Sequence, residues 1–164
     1  MFNKRIALMT FAIISMLAIP VFAQTDDAHG FQLSLITPVQ IVHQDQSVTG
    51  LRINLIYGSN KSVTGVDWGL INRTTGDGSM GAQFGFVGIA NSDFSGYQDN
   101  FFNIVEGDMH GSQVGVVNYS HYAHGFQFGL INYAATMKGL QLGLINIIGQ
   151  GGAFPIFPIV NWSF

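Results

Sequence analysis

Gly125-Phe126-Gln127-Phe128-Gly129-Leu130-Ile131-Asn132 returns 14 residues later as Gly139-Leu140-Gln141-Leu142-Gly143-Leu144-Ile145-Asn146. Both octets read Gly, apolar, Gln, apolar, Gly, Leu, Ile, Asn. Toward the N-terminus the unit persists as Gly111-Ser112-Gln113-Val114-Gly115-Val116-Val117-Asn118. In Gly65-Val66-Asp67-Trp68-Gly69-Leu70-Ile71-Asn72, Asp67 takes the Gln place. Looser copies begin at Gly50 and Gly96, the copy at Gly81 ends on Gly88 instead of Asn, and the copy at Gly30 is degenerate. After the first gap, the starts are 14 to 16 residues apart. A short fixed period means one structural unit repeated, and it governs the architecture before any other feature.

Each octet alternates with period two. Phe126, Phe128 and Leu130 fall on one face, and Gln127, Gly129 and Ile131 on the other. Alternation of this kind marks strands. The intervening segments, such as Ser59-Asn60-Lys61-Ser62 and Gly149-Gln150-Gly151-Gly152, are rich in turn residues. The fold class is therefore all-β, and two architectures fit. In an antiparallel up-and-down transmembrane β-barrel of about 8–10 short strands, the apolar face meets lipid and the Gln/Gly/Ile face fills a narrow lumen. In a β-solenoid of stacked ~15-residue repeats, the apolar face becomes the core and Asn stacks on Asn.

The two ends of the chain favour the barrel. Lys4 and Arg5 precede an apolar run from Ile6 to Pro20, then Val21-Phe22-Ala23 and the polar Gln24-Thr25-Asp26-Asp27. That order predicts a signal peptide over residues 1–23, cleaved after Ala23, and a single β-repeat domain over 24–164. At the other end Val160, Trp162 and Phe164 alternate. This ending resembles the signal read by the outer-membrane barrel assembly machinery. Two features resist a barrel: Pro155 and Pro158 lie in the last segment, where a paired strand has little use for proline, and the strand-like segments number nine, whereas bacterial single-chain barrels use an even number.

Composition narrows the function classes. Of the 164 residues 9% are charged and 48% hydrophobic, 21 are Gly and none is Cys. Disorder is excluded by the apolar content. Thiolate metal sites, disulfides and a lipidated cysteine are excluded outright. A net charge of −3 leaves no basic surface for nucleic acid. Beyond the leader the basic residues are Arg52, Lys61, Arg73 and Lys138, against nine acidic ones.

The Gly-Leu-Gln-Leu-Gly-Leu-Ile-Asn units, the segment Leu51 to Gly58 and the ending Phe157 to Phe164 resemble a family of bacterial surface repeat-containing proteins. The resemblance covers Gly30 to the end. It implies a surface or envelope location and carries no reaction, ligand or catalytic residue.

No catalytic, cofactor-binding or metal residue is assigned, and the chain is not expected to be an enzyme. A small membrane-barrel lipid-modifying enzyme would need a rim His or Ser beside an acid, and only His43 near Asp45, or His121 near Ser120, offers one. Glu106, Asp108, His110, His121 and His124 could share an ion if successive linkers stacked on one edge; in a barrel they lie at opposite ends, so no site is expected. A surface binding protein, adhesin or receptor, would need a long loop, and only 38–49 qualifies. The leading expectation is a small outer-membrane protein with a structural or passive envelope role, whose partners are outer-membrane lipids and the assembly machinery, without nucleic acid or cofactor.

Overall fold

In the computed structural model, residues 29–76 and 78–164 are described; the expected signal peptide lies outside them. The strands are β1 (His29–Ile36), β2 (Val39–Gln40), β3 (Val48–Asn60), β4 (Val63–Thr74), β5 (Ser79–Ala90), β6 (Phe94–Val114), β7 (Val117–Phe128), β8 (Ile131–Gln150) and β9 (Ile156–Ser163). From β1 through β3 to β8 each strand pairs in parallel with the next. Only β2, on β1, and β9, on β8, pair antiparallel. The fold is a β-solenoid of about 8 turns, which corrects the expected up-and-down barrel. In such a barrel every neighbour is antiparallel and the sheet closes; here the pairing is parallel and the strand order runs open from β2 to β9.

The sequence builds the coil through two devices. One is a corner at the glycine that opens each octet. Gly125 has φ 139° and Gly139 φ 151°, values that residues with a Cβ rarely adopt. Gly65, Gly81, Gly96, Gly111, Gly125 and Gly139 stack in register. The second corner falls at Gly129-Leu130, between β7 and β8, and at Gly115-Val116, between β6 and β7. It breaks the alternation. Leu130 and Ile131 both face outward, whereas a straight strand would have turned Ile131 in.

The interior is amide rather than hydrocarbon along the octet. Gln83, Gln98, Gln113, Gln127 and Gln141 are buried, as are Asn72, Asn103, Asn118, Asn132 and Asn146. Outward expectations for Phe128 and inward ones for Gln127 therefore hold, but the apolar face is not the solenoid's core. A buried primary amide needs partners for two donors and an oxygen, and like-on-like stacking supplies them. Gln141 Nε2 donates to Gln127 Oε1 at 2.7 Å, Gln127 to Gln113 at 2.7 Å, Gln113 to Gln98 at 2.9 Å and Gln98 to Gln83 at 2.9 Å. The asparagines donate the other way: Asn103 Nδ2 to Asn118 Oδ1 at 2.8 Å, Asn118 to Asn132 at 2.7 Å and Asn132 to Asn146 at 2.8 Å. The spare amide hydrogens tie the walls of the coil together, Gln127 to the carbonyl of Tyr133 and Asn132 to that of Leu142.

The glutamine ladder ends on charge. Gln83 Nε2 donates to Asp67 Oδ2 at 2.8 Å. Asp67 also accepts Nε and Nη2 of Arg52, each at 2.7 Å, in a pair buried on both sides. An apolar core occupies the far side of the coil, where Ala90, Phe94, Val105 and Met109 form one cluster and Ala123, Ala134, Met137 and Ile148 another.

Both ends are covered. Val42 is buried against Val48 and Val63, and its N–H donates to Gln32 Oε1 at 2.6 Å. At the other end β9 lays Asn161 over Gln141. The prolines that resisted a barrel have their explanation here: Pro155 precedes β9, and among the described residues β9 is the outermost strand, so Pro158 and the positive φ (69°) of Ile159 fall on a sheet edge.

Candidate functional site

The corner that follows the fifth place of each octet, Gly in most coils and Asn in those that start at Gly50 and Gly96, places two consecutive side chains outside. From coil to coil these are Leu55-Ile56, Leu70-Ile71, Phe86-Val87, Phe101-Phe102, Val116-Val117, Leu130-Ile131 and Leu144-Ile145, stacked in register from the second pair on, whereas at the first a register shift sets Tyr57 against Ile71. They form one straight ridge, roughly 30 Å long at the usual spacing of paired strands. Leu55 is 56% exposed, Leu70 49%, Leu130 51% and Leu144 66%. No ionisable residue interrupts the ridge. Aromatic contacts stiffen its middle: Phe86 stacks on Phe101 with centroids 5.0 Å apart, and Phe101 meets Phe102 edge-on at 5.0 Å.

Two residues from the ridge, about 7 Å along the strand, tryptophan, tyrosine and charged side chains appear. On one wall stand Ile53, Trp68, Phe84, Asp99, Val114, Phe128 and Leu142, on the other Arg73, Ile89, Ile104, Tyr119, Tyr133 and Ile147, so aromatic rings and two charges alternate with aliphatic side chains. Tyr119 and Tyr133 stack with centroids 5.2 Å apart and planes within 3°. Tyr97 donates its hydroxyl to Asp99 Oδ2 at 3.2 Å. Partial desolvation, then the Asp99 charge and hydrogen bond, raise the Tyr97 phenol above its ordinary pKa. Opposite the ridge, the second edge carries Lys61, Asp93, Glu106, Asp108, His110, His121, His124 and Lys138. The cross-section thus runs from an uncharged ridge, through walls where Trp, Tyr and Phe stand among aliphatic side chains, to a charged edge.

The residues singled out from sequence separate. Ser120 is buried and accepts Gln127 Nε2 at 3.2 Å, while His121 is exposed on the outer face. Adjacent residues of one strand point to opposite sides, so they form no catalytic pair. His43 Nδ1 lies 3.4 Å from Asp45 Oδ2 on the surface, with both side chains mostly exposed. The long 38–49 segment is the N-terminal cap rather than a free binding loop: Gln40 Nε2 donates to the carbonyls of Val42 and Ser59. Of the linker residues, the solenoid does bring His110 and His124 into register, with ring centroids 5.5 Å apart. Glu106 instead accepts Asn91 Nδ2, and Asp108 pairs across with Tyr122. Among the described residues, no three His, Cys, Asp or Glu side chains converge as an ion site.

The sequence carried one signal for the ridge that alternation concealed: Leu-Ile, Phe-Val and Phe-Phe pairs without a polar residue between them, recurring at the repeat period. No known protein family, curated protein or solved structure matches the chain.

Proposed function

We infer that the chain is an exported, non-catalytic structural protein of the cell envelope, a rigid rod that works through its outer surface. One observation carries this reading: amide ladders fill the interior along the octets. A gap lined by Val63, Gly65, Asp67, Gln83 and Phe94 has no room for a water molecule. Small-molecule and catalytic sites need a concave pocket with a few convergent polar groups. In this rod the ladder glutamines and asparagines donate to one another and to backbone carbonyls across the coil. The leader-like residues 1–23 and the resemblance to bacterial surface repeat proteins support export to the outer membrane.

Cell fractionation with intact-mass measurement tests the reading. Protein beginning at Gln24 and sedimenting with outer membranes is expected. Protein that retains Met1, or that is recovered wholly in soluble fractions, would refute it.

A further inference from the structure

We propose that the Leu-Ile ridge seats the rod along a lipid leaflet, with Trp68, Tyr119 and Tyr133 at headgroup level and the charged edge in water. This rests on the envelope reading above and names its partner.

Three features select lipid over other occupants. The first is depth. From the ridge to Trp68 on one wall and Tyr133 on the other is two residues, about 7 Å. Elements that lie in a membrane interface bury their apolar side about 5–10 Å deep. The second is the placement of amphipathic rings. Tyr and Trp collect where hydrocarbon gives way to headgroups, and here they flank the ridge on both walls. A protein partner seated on one sheet would explain one wall only. The third is charge. Arg73 and Asp99 are the exposed or half-exposed charges nearest the ridge, each two residues from it, and no ionisable residue lies on the ridge itself. Shape argues against a second copy: two convex ridges touch along a line, whereas a stable protein interface needs about 800 Å² from each partner. A fluid leaflet closes around a convex edge.

The exposed charge is mainly acidic, so attachment does not depend on anionic lipid. The probe is a phosphatidylcholine vesicle, and the protein is the form isolated from the envelope. Flotation should carry the protein with the vesicles equally at low and high salt. Leu130→Glu with Leu144→Glu should lower partitioning at least about tenfold, because each change replaces buried hydrocarbon by a charge. Both side chains point outward, so circular dichroism should be unchanged. His121→Glu with Lys138→Glu, on the opposite edge, should bind as the native protein does. Trp68 fluorescence in a Trp162→Phe background should be quenched more by shallow than by deep brominated lipids.

Native protein that fails to float, or a double ridge variant that floats as well as native, overturns the proposal. So does a lipid-free dimer that the ridge variant dissociates without any vesicle binding; the ridge then belongs to a second copy. Failure of flotation alongside outer-membrane fractionation removes only the lipid assignment, whereas soluble fractionation removes the envelope reading.

Discussion

Asn100 fills the space that Gly88 leaves. In most coils the inner place after the fourth residue is Gly and the eighth is Asn. The coil that starts at Gly81 has Gly85 and Gly88 there, and the next has Asn100 and Asn103. Asn100 Nδ2 reaches back to Gln83 Oε1 at 3.3 Å and donates to Asn103 Oδ1 at 2.7 Å. A Cβ on Gly88 would collide with Gln83 and Asn100. Two coils that each break the repeat thus restore its volume and its amide count jointly. The coil that starts at Gly50 makes the same exchange within itself, between Asn54 and Gly58.

Gly88→Asn alone should therefore overfill the interior and cost about 1–3 kcal/mol. Adding Asn100→Gly returns both coils to the common pattern and should recover most of the loss. A double-mutant cycle by denaturant unfolding measures the coupling. Additive losses would show that the two positions do not share the space.

The Arg52–Asp67 pair terminates the glutamine ladder, and its two halves are unequal to remove singly. Asp67→Gln leaves the guanidinium of Arg52 buried without its carboxylate, which should cost about 3–5 kcal/mol. Arg52→Gln together with Asp67→Gln extends the ladder by two rungs. That double variant should be far more stable than the single one, and close to the native protein. Urea midpoints of the three proteins decide it.

Facing can be tested with one charge moved by one residue. Leu142 lies on the outer wall and Gln141 is buried. In detergent-free buffer, Leu142→Arg should shift stability by no more than about 0.5 kcal/mol, the usual range for surface changes. Gln141→Arg buries a charge beside Gln127 and should prevent folding or lower stability by several kcal/mol. Comparable losses at both sites would contradict the solenoid's orientation.

The glycine corners are a fourth target. Alanine at Gly125 meets both an unfavourable φ of 139° and the carbonyl oxygen of Gly111. Strain and crowding together should cost about 3 kcal/mol or more. Gly149→Ala, at a glycine outside that stack with no positive φ, should cost less. Thermal melts of the two variants provide the comparison.

Much of this fold is present in the period. Alternation set Gln127 and Phe128 on opposite faces; which face lies inside was left to the architecture, and the solenoid expectation had it reversed, with the apolar face as core. Direction is also left open, because an octet reads the same in either pairing. The evidence for parallel stacking lay in identity: Gln above Gln and Asn above Asn at 14 to 16 residues, an arrangement that only in-register parallel coils convert into amide ladders. The glycine opening each octet was a corner rather than a strand residue with a small side chain. The ridge was hidden for a related reason. Period two assigns Leu130 and Ile131 to opposite faces, and only the turn at Gly129 puts both outside. Exchanges such as Gly88 with Asn100 involve different coils, so a single copy shows each as a defect.

The opposed directions of the two ladders have a consequence for the rod's size. Glutamine amides point their donors toward the first coil and asparagine amides toward the last. Stacked amide dipoles of one sense would accumulate with every added coil, whereas here each new pair largely cancels its own contribution. Duplicating a 14-residue unit between Gly111 and Asn146 would therefore leave both termini electrically as they are, still closed by Asp67 at one end and Asn161 at the other. Length is a free variable of this architecture, and the reach of the molecule can change by whole units while its edges and its cross-section stay constant.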